Sequence, residues 1–129
     1  MILLDTHILV WLLIAPEKLS AKEKKAILAA RKSGPLAVSA ISLWEIAWLA
    51  ENKRIEVDVS VDSFVKKCAS YVQVLPITPD IAVRSVKFPK SYPSDPQDRI
   101  IGATAIVEGI RLLTRDKRIA RSSLVPLAL

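Results

Sequence analysis

Apolar residues in this chain come in short bursts that stop abruptly at polar ones, and stretches of helical periodicity follow. Ile2-Leu3-Leu4 stops at Asp5-Thr6, Leu36-Ala37-Val38 stops at Ser39, and Val72-Gln73-Val74-Leu75 precedes Thr78-Pro79. Arg111-Leu112-Leu113 stops at Thr114-Arg115-Asp116. Bursts this short and this apolar predict strands buried on both faces of a parallel sheet. The intervening segments carry helix-start signals. Thr6 is placed to cap a helix over Ile8–Ile14, apolar nearly all round and closed by Pro16. Ser20-Ala21-Lys22-Glu23 is a capping box that opens an amphipathic helix to about Lys32. Ser39 caps a helix to about Glu51, Ser60 opens one with Val61, Phe64, Val65 and Cys68 on one face, and Thr78-Pro79 opens one to about Lys87.

Two further segments complete the pattern. In Ser94-Asp95-Pro96-Gln97-Asp98, Asp95 takes the cap position, Pro96 the first helical position and Asp98 the first turn. The helix that follows is apolar on almost every face from Ile100 to Val107 and stops at Gly109. Ile55, Val57 and Val59 alternate with polar residues, which predicts an extended segment, and Leu124–Leu127 reads as a last extended piece. Strands alternating with helices give an α/β fold, a central parallel sheet of four to five short strands with helices on both faces. In such a sheet the site lies outside the carboxyl ends of the strands.

At 129 residues the chain is a single domain, residues 1–129, large enough for a core. Cys68, the only cysteine, excludes a disulfide framework and reads as a buried thiol in a reducing compartment. The N-terminal apolar run has no basic leader and is broken at Asp5, and Ile8–Ala15 is too short to span a bilayer, so a cytoplasmic protein without a membrane segment is expected. Net charge is +6 and the isoelectric point is near 9.7, a balance that suits a polyanionic partner.

The acids carry the chemistry. Asp5 follows the first strand, Asp116 follows the strand Arg111–Leu113, Glu45 lies in the helix after the second strand, and Asp98 opens the buried helix. All four can reach one edge of the sheet. An Asp after a strand is often only a turn residue, but Glu45 sits among Ile41, Trp44, Trp48 and Leu49, company in which a glutamate needs a partner. Carboxylates 4–5 Å apart repel by about 3–4 kcal/mol per pair at an effective dielectric near 20. A site of four must therefore hold a proton or a cation. Hard oxygen donors without a His or Cys cluster point to Mg²⁺ or Mn²⁺, ions that promote in-line displacement at a phosphodiester. The single histidine, His7, reads as structural, and no Walker, G-x-G-x-x-G or G-x-S-x-G motif is present.

Four blocks in order resemble the PIN domain, and within it the ribonuclease toxins of VapC type. They are Leu3-Leu4-Asp5-Thr6-His7-Ile8-Leu9, Ser39 to Ala47, Asp95-Pro96-Gln97-Asp98-Arg99-Ile100-Ile101, and Leu113-Thr114-Arg115-Asp116. The first is similar to the branch in which Asp-Thr-His replaces Asp-Thr-Asn. The resemblance implies a three-layer fold and a Mg²⁺- or Mn²⁺-dependent endoribonuclease whose site and metal are carried by Asp5, Glu45, Asp98 and Asp116. Thr6, Asp95 and Thr114 would support them, Thr114 as a hydroxyl near Asp116. It also implies an antitoxin partner and a homodimer. Pro93-Ser94 and Gln97 depart from the branch, which often has His before its Asp-Pro and an aromatic after it, a difference that bears on substrate fit.

Setting the four acids aside leaves 9 acidic residues against 19 basic ones, near +10 for the remaining surface. Arg99, Arg115, Lys117 and Arg118 flank the third and fourth blocks, and Arg99, Arg115 and Lys117 are the expected substrate-binding cations. Trp11, Trp44 and Trp48 lie on helices too apolar for one core face, so an antitoxin-covered groove is expected near them. Two other readings stand beside cleavage: a PIN-like domain that binds RNA or protein without cutting, and an acid-pocket phosphotransfer domain of receiver or phosphatase type. The latter lacks the second Asp two residues after Asp5.

Overall fold

The computed structural model describes residues 1–129. Four three-residue strands, β1 (Ile2–Leu4), β2 (Ala37–Ser39), β3 (Gln73–Leu75) and β4 (Arg111–Leu113), form one parallel sheet in the order β3-β2-β1-β4. Each burst is apolar on consecutive positions because both faces are covered. Leu3, Ala37 and Leu112 point into one core with Tyr92, Ile101, Ala105 and Ile119, while Leu4, Val38 and Leu113 point into the other with Ile8, Ile27, Phe64 and Cys68. Helices α1 (Thr6–Ile14), α2 (Ala21–Ser33) and α4 (Val61–Tyr71) supply the second core. Helices α6 (Pro96–Glu108) and α7 (Lys117–Ser122) supply the first. Helix α3 (Ala40–Glu51) buries Ile46 in the core with α1 and leans Ile41 on the other, and α5 (Pro79–Val86) packs along α6. These are the three layers expected.

The chain winds outward from β1 through β2 to β3 and then returns to β4 on the other side of β1. The order reverses beside β1, and a parallel sheet opens a crevice at such a switch point. Asp5 and Asp116 leave the carboxyl ends of the two strands that flank it.

Two expectations are corrected, for Ile55–Val59 and for the cap of α1, and one, for Leu124–Leu127, is met in part. Ile55–Val59 is a run of turns and bends, not a strand. No neighbouring strand offers it hydrogen bonds, and the alternation reflects Ile55 and Val57 packing on the core beneath. Leu124–Leu127 makes one parallel bridge, Leu112 with Leu127, through Leu112 N–H to Pro126 O at 2.8 Å and Ala128 N–H to Leu112 O at 2.9 Å. Pro126 has no N–H to extend the ladder further. The cap of α1 is Asp5, not Thr6, and the Thr6 hydroxyl is thereby free for other use. Cys68 is buried, and burial pushes its thiol up to about 11. No helix is long and apolar enough to cross a membrane.

Candidate active site

Each acid is placed by a local device. The Asp5 carboxylate caps α1 through Thr6 N–H (2.9 Å to Oδ1) and accepts from the Thr114 hydroxyl at 2.6 Å through Oδ2. Thr114 Oγ1 in turn accepts from Asp116 N–H at 3.1 Å, so one threonine ties the end of β1 to the loop after β4. Thr6 turns its hydroxyl away from the helix end and donates to Glu45 Oε1 at 2.5 Å, with Ser42 Oγ 2.9 Å away. Thr6 and Ser42 are fully buried, so this chain supplies the partner that a glutamate among apolar neighbours needs.

Asp98 is set by the loop before α6. Tyr92, fully buried and stacked on Phe88 at 4.0 Å, donates its hydroxyl to the backbone oxygen of Asp98 at 3.0 Å. Gly102 makes room for it: a Cβ there would collide with the Tyr92 hydroxyl. Arg99 gathers the same loop, donating to the carbonyls of Pro93 (3.0 Å), Phe88 (2.9 Å) and Pro89 (3.2 Å). Asp95 occupies the cap position of α6, as expected, but its side chain makes no capping bond and faces the site instead. Asp116 caps α7 through Arg118 N–H at 2.8 Å. The Arg118 guanidinium returns to Asp116 at 2.9 Å and lies 3.9 Å from Asp98 Oδ2.

The result is a cavity of about 380 Å³ lined by five acids, Asp5, Glu45, Asp95, Asp98 and Asp116, against two cations, Arg115 and Arg118. His7, Ile8 and Trp11 form the rest of its wall, with His7 packed on Trp11 at 5.8 Å between ring centres. The electrostatics follow. Burial, then the charges of Asp5 and Asp116, push Asp98 up to about 7. Burial raises Glu45 too, against the lowering hydrogen bond from Thr6. Asp116 moves the other way, held down chiefly by the hydrogen bond from Arg118. No three of these side chains are gathered around one ion-sized point; Asp5 is bonded to Thr114, Glu45 to Thr6 and Asp116 to Arg118.

A family model for the PIN domain matches residues 2–123. The chain belongs to the PIN-domain family. It is 44% identical over 118 residues to Ribonuclease VapC22 of Mycobacterium tuberculosis, covering 92% of this chain and 88% of that protein. Among solved structures it is similar to a toxin–antitoxin complex from Klebsiella pneumoniae, at 27% identity and a TM-score of 0.70 over 100% of this chain and 98% of that one. It also matches VapBC2 of Rickettsia felis, solved with a DNA fragment from its promoter, at 18% identity and a TM-score of 0.74 over 98% and 97% of the two chains.

Against this PIN-domain frame the expected cations divide. Arg99 does not line the cavity, because its guanidinium is spent on loop carbonyls. Arg115 lines it from a fixed post: its side chain pairs with Glu23, donates to Lys18 O at 2.6 Å and lies 4.4 Å from the Trp11 ring centre. That pairing holds the Glu23 carboxyl down at about 2. Lys117 is exposed and off the cavity wall. The tryptophans divide as well. Trp11 stands in the wall, whereas Trp44 and Trp48, one turn apart on α3, are 55% and 43% exposed. Sequence reasoning placed Arg118 near the site without seeing that it bridges two of the acids. Glu23 was legible only as half of a capping box, which it also is, because its partner Arg115 is 92 residues away.

Proposed function

We propose that this PIN-domain ribonuclease toxin hydrolyses RNA phosphodiester bonds at the cavity formed by Asp5, Glu45, Asp98 and Asp116, with Mg²⁺ or Mn²⁺ held by those carboxylates. One observation carries the reading: acids from four distant segments line one cavity, and their mutual repulsion, added to burial, lifts Asp98 to about 7. A site so charged is relieved by a divalent cation, and oxygen donors alone suit a hard one. Asp5 and Asp98 are the principal ligands in this reading, with Glu45 and Asp116 completing the set. When bound, the ion supplies positive charge to the attacking and leaving oxygens of an in-line displacement. The chain's own residues do the orienting. Thr114 fixes Asp5, Thr6 fixes Glu45 by Oε1 and leaves Oε2 without a hydrogen bond, and Arg118 offers a guanidinium beside the acids for a phosphate oxygen.

The assay is direct. Purified protein should cleave single-stranded or structured RNA with Mg²⁺ or Mn²⁺ and not with EDTA. Asp98→Asn should lower cleavage by about a thousandfold or more while the fold is kept. Undiminished cleavage by Asp98→Asn would refute the mechanism, whereas RNA binding by the wild type with no cleavage in either metal would favour binding without cutting.

We also propose that the protein acts in the cytoplasm as a homodimer and that an antitoxin covers the apolar surface of the exposed Trp44 and Trp48, with Trp11 at the cavity. Alanine at a covered tryptophan should weaken antitoxin binding by at least about 2 kcal/mol. Unchanged affinity in all three variants would place the groove elsewhere.

A further inference from the structure

A cavity with five acids in its wall repels the polyanion it is meant to cut, so much of the affinity for RNA must come from beside it. The neighbouring surface carries the right chemistry. A second cavity of about 370 Å³ is lined by Ser91, Arg118, Arg121 and Ser122 alone, with no acidic and no apolar side chain in its wall. Arg118 belongs to both cavities. Its Nε and Nη2 are engaged with Asp116 at 3.3 and 2.9 Å, and its Nη1 makes no hydrogen bond within the protein. Arg121 makes neither a hydrogen bond nor an ion pair within the chain, and the Ser91 hydroxyl is likewise free. Ser122 Oγ gives its proton to Ile119 O at 2.6 Å and accepts from Leu124 N–H at 3.3 Å, so it lines the cavity as a small polar wall and the free donors are those of Arg118, Arg121 and Ser91.

We propose that the cavity of Ser91, Arg118, Arg121 and Ser122 is a backbone-phosphate subsite, binding an RNA phosphate adjacent to the one that is cut. The proposal rests on the nuclease reading for the identity of the strand. Free guanidinium N–H groups and the free Ser91 hydroxyl, without an apolar wall on which a base could stack, suit a phosphodiester, so the subsite fixes register without reading sequence. One guanidinium common to both cavities makes the bound phosphate a near neighbour of the reacting one. This gives the protein a means of holding the strand across the acid cavity, and it transfers to Arg121 the role that Arg99, busy with its own loop, does not fill.

The test is metal-free binding of a short fluorescent single-stranded RNA in EDTA at several salt concentrations. Arg121→Ala should weaken binding about three- to tenfold and reduce the log–log salt slope by about 0.7, one phosphate contact on a single strand. Replacing one linkage at a time by a neutral methylphosphonate should then reveal a position that weakens the wild type and leaves Arg121→Ala indifferent. Equal affinity and slope in the two proteins, absence of such a position, or no RNA binding by the wild type would overturn the subsite. A wild type that binds in this way yet never cleaves with metal would refute the nuclease reading instead. Cleavage with Arg121→Ala binding like wild type would do the reverse.

Discussion

Asp98 is the residue at which the site's electrostatics become measurable. Its folded value of about 7 stands above the ordinary 3.8, so between those two pH values the folded chain holds a proton that the unfolded chain has lost. Stability therefore falls as pH rises from about 4 through 7, by about 4 kcal/mol at most, and the penalty is absent below the unfolded value. Asp98→Asn should flatten that decline and make the metal-free protein more stable than wild type at pH 8, which denaturant titrations across pH would read. Glu23 has the opposite sign. Held down at about 2, it contributes stability above about 4.5 that is lost as the pH drops toward 2. A wild type whose stability rose steadily from pH 4 to 8 would contradict the Asp98 assignment. Arg118 supplies a second prediction at this scale: it competes with a cation for Asp116 and Asp98, so Arg118→Ala should bind Mn²⁺ severalfold more tightly while its KM for RNA rises. Calorimetric titration and steady-state cleavage would check the two halves separately.

The elements were legible where a start or stop signal coincided with an apolar burst. The capping box at Ser20, the stop at Gly109 in a left-handed conformation and the four strands all lie where the sequence puts them. What escaped was side-chain traffic between elements. Thr6 reads as a cap by position, and only the fold reveals that Asp5 takes the cap and Thr6 serves Glu45. Glu23 and Arg115 each obey a local pattern, and nothing local announces that α2 is latched to the loop carrying Asp116. Gly102 carries no local signal, yet it is the notch that admits Tyr92 beneath Asp98. Gly102→Ala should accordingly cost about 1–3 kcal/mol by overpacking and reduce cleavage by displacing the first turn of α6, whereas an exposed glycine-to-alanine change in a helix stabilises. Glu23→Gln should loosen the latch. Because Arg115 is 46% exposed, solvent screening limits the loss to about 1 kcal/mol, measurable by thermal melting.

At the scale of the whole molecule, the strand order β3-β2-β1-β4 is what brings four dispersed acids to the wall of one cavity. The reversal at β1 sets Asp5 beside the loop after β4, and α3 and α6 bring Glu45 and Asp98 to the same edge. The acid positions were readable because strand ends and helix starts are readable. Their support was legible only in part: Thr6 and Thr114 were expected beside the acids, but the bonds from Thr114 to Asp5 and from Thr6 to Glu45 span 109 and 39 residues of chain and need the fold to be seen. Whether Asp5, Glu45, Asp98 and Asp116 act as one divalent-cation site, as we propose, is tested most directly by melting curves with and without millimolar Mn²⁺ at pH 7.5. Binding to the folded state raises its melting temperature by mass action. Wild type should show a clear upward shift, and Asp98→Asn should start higher without metal and respond much less. Equal responses in the two proteins, or none in either, would mean that the four acids do not share a metal.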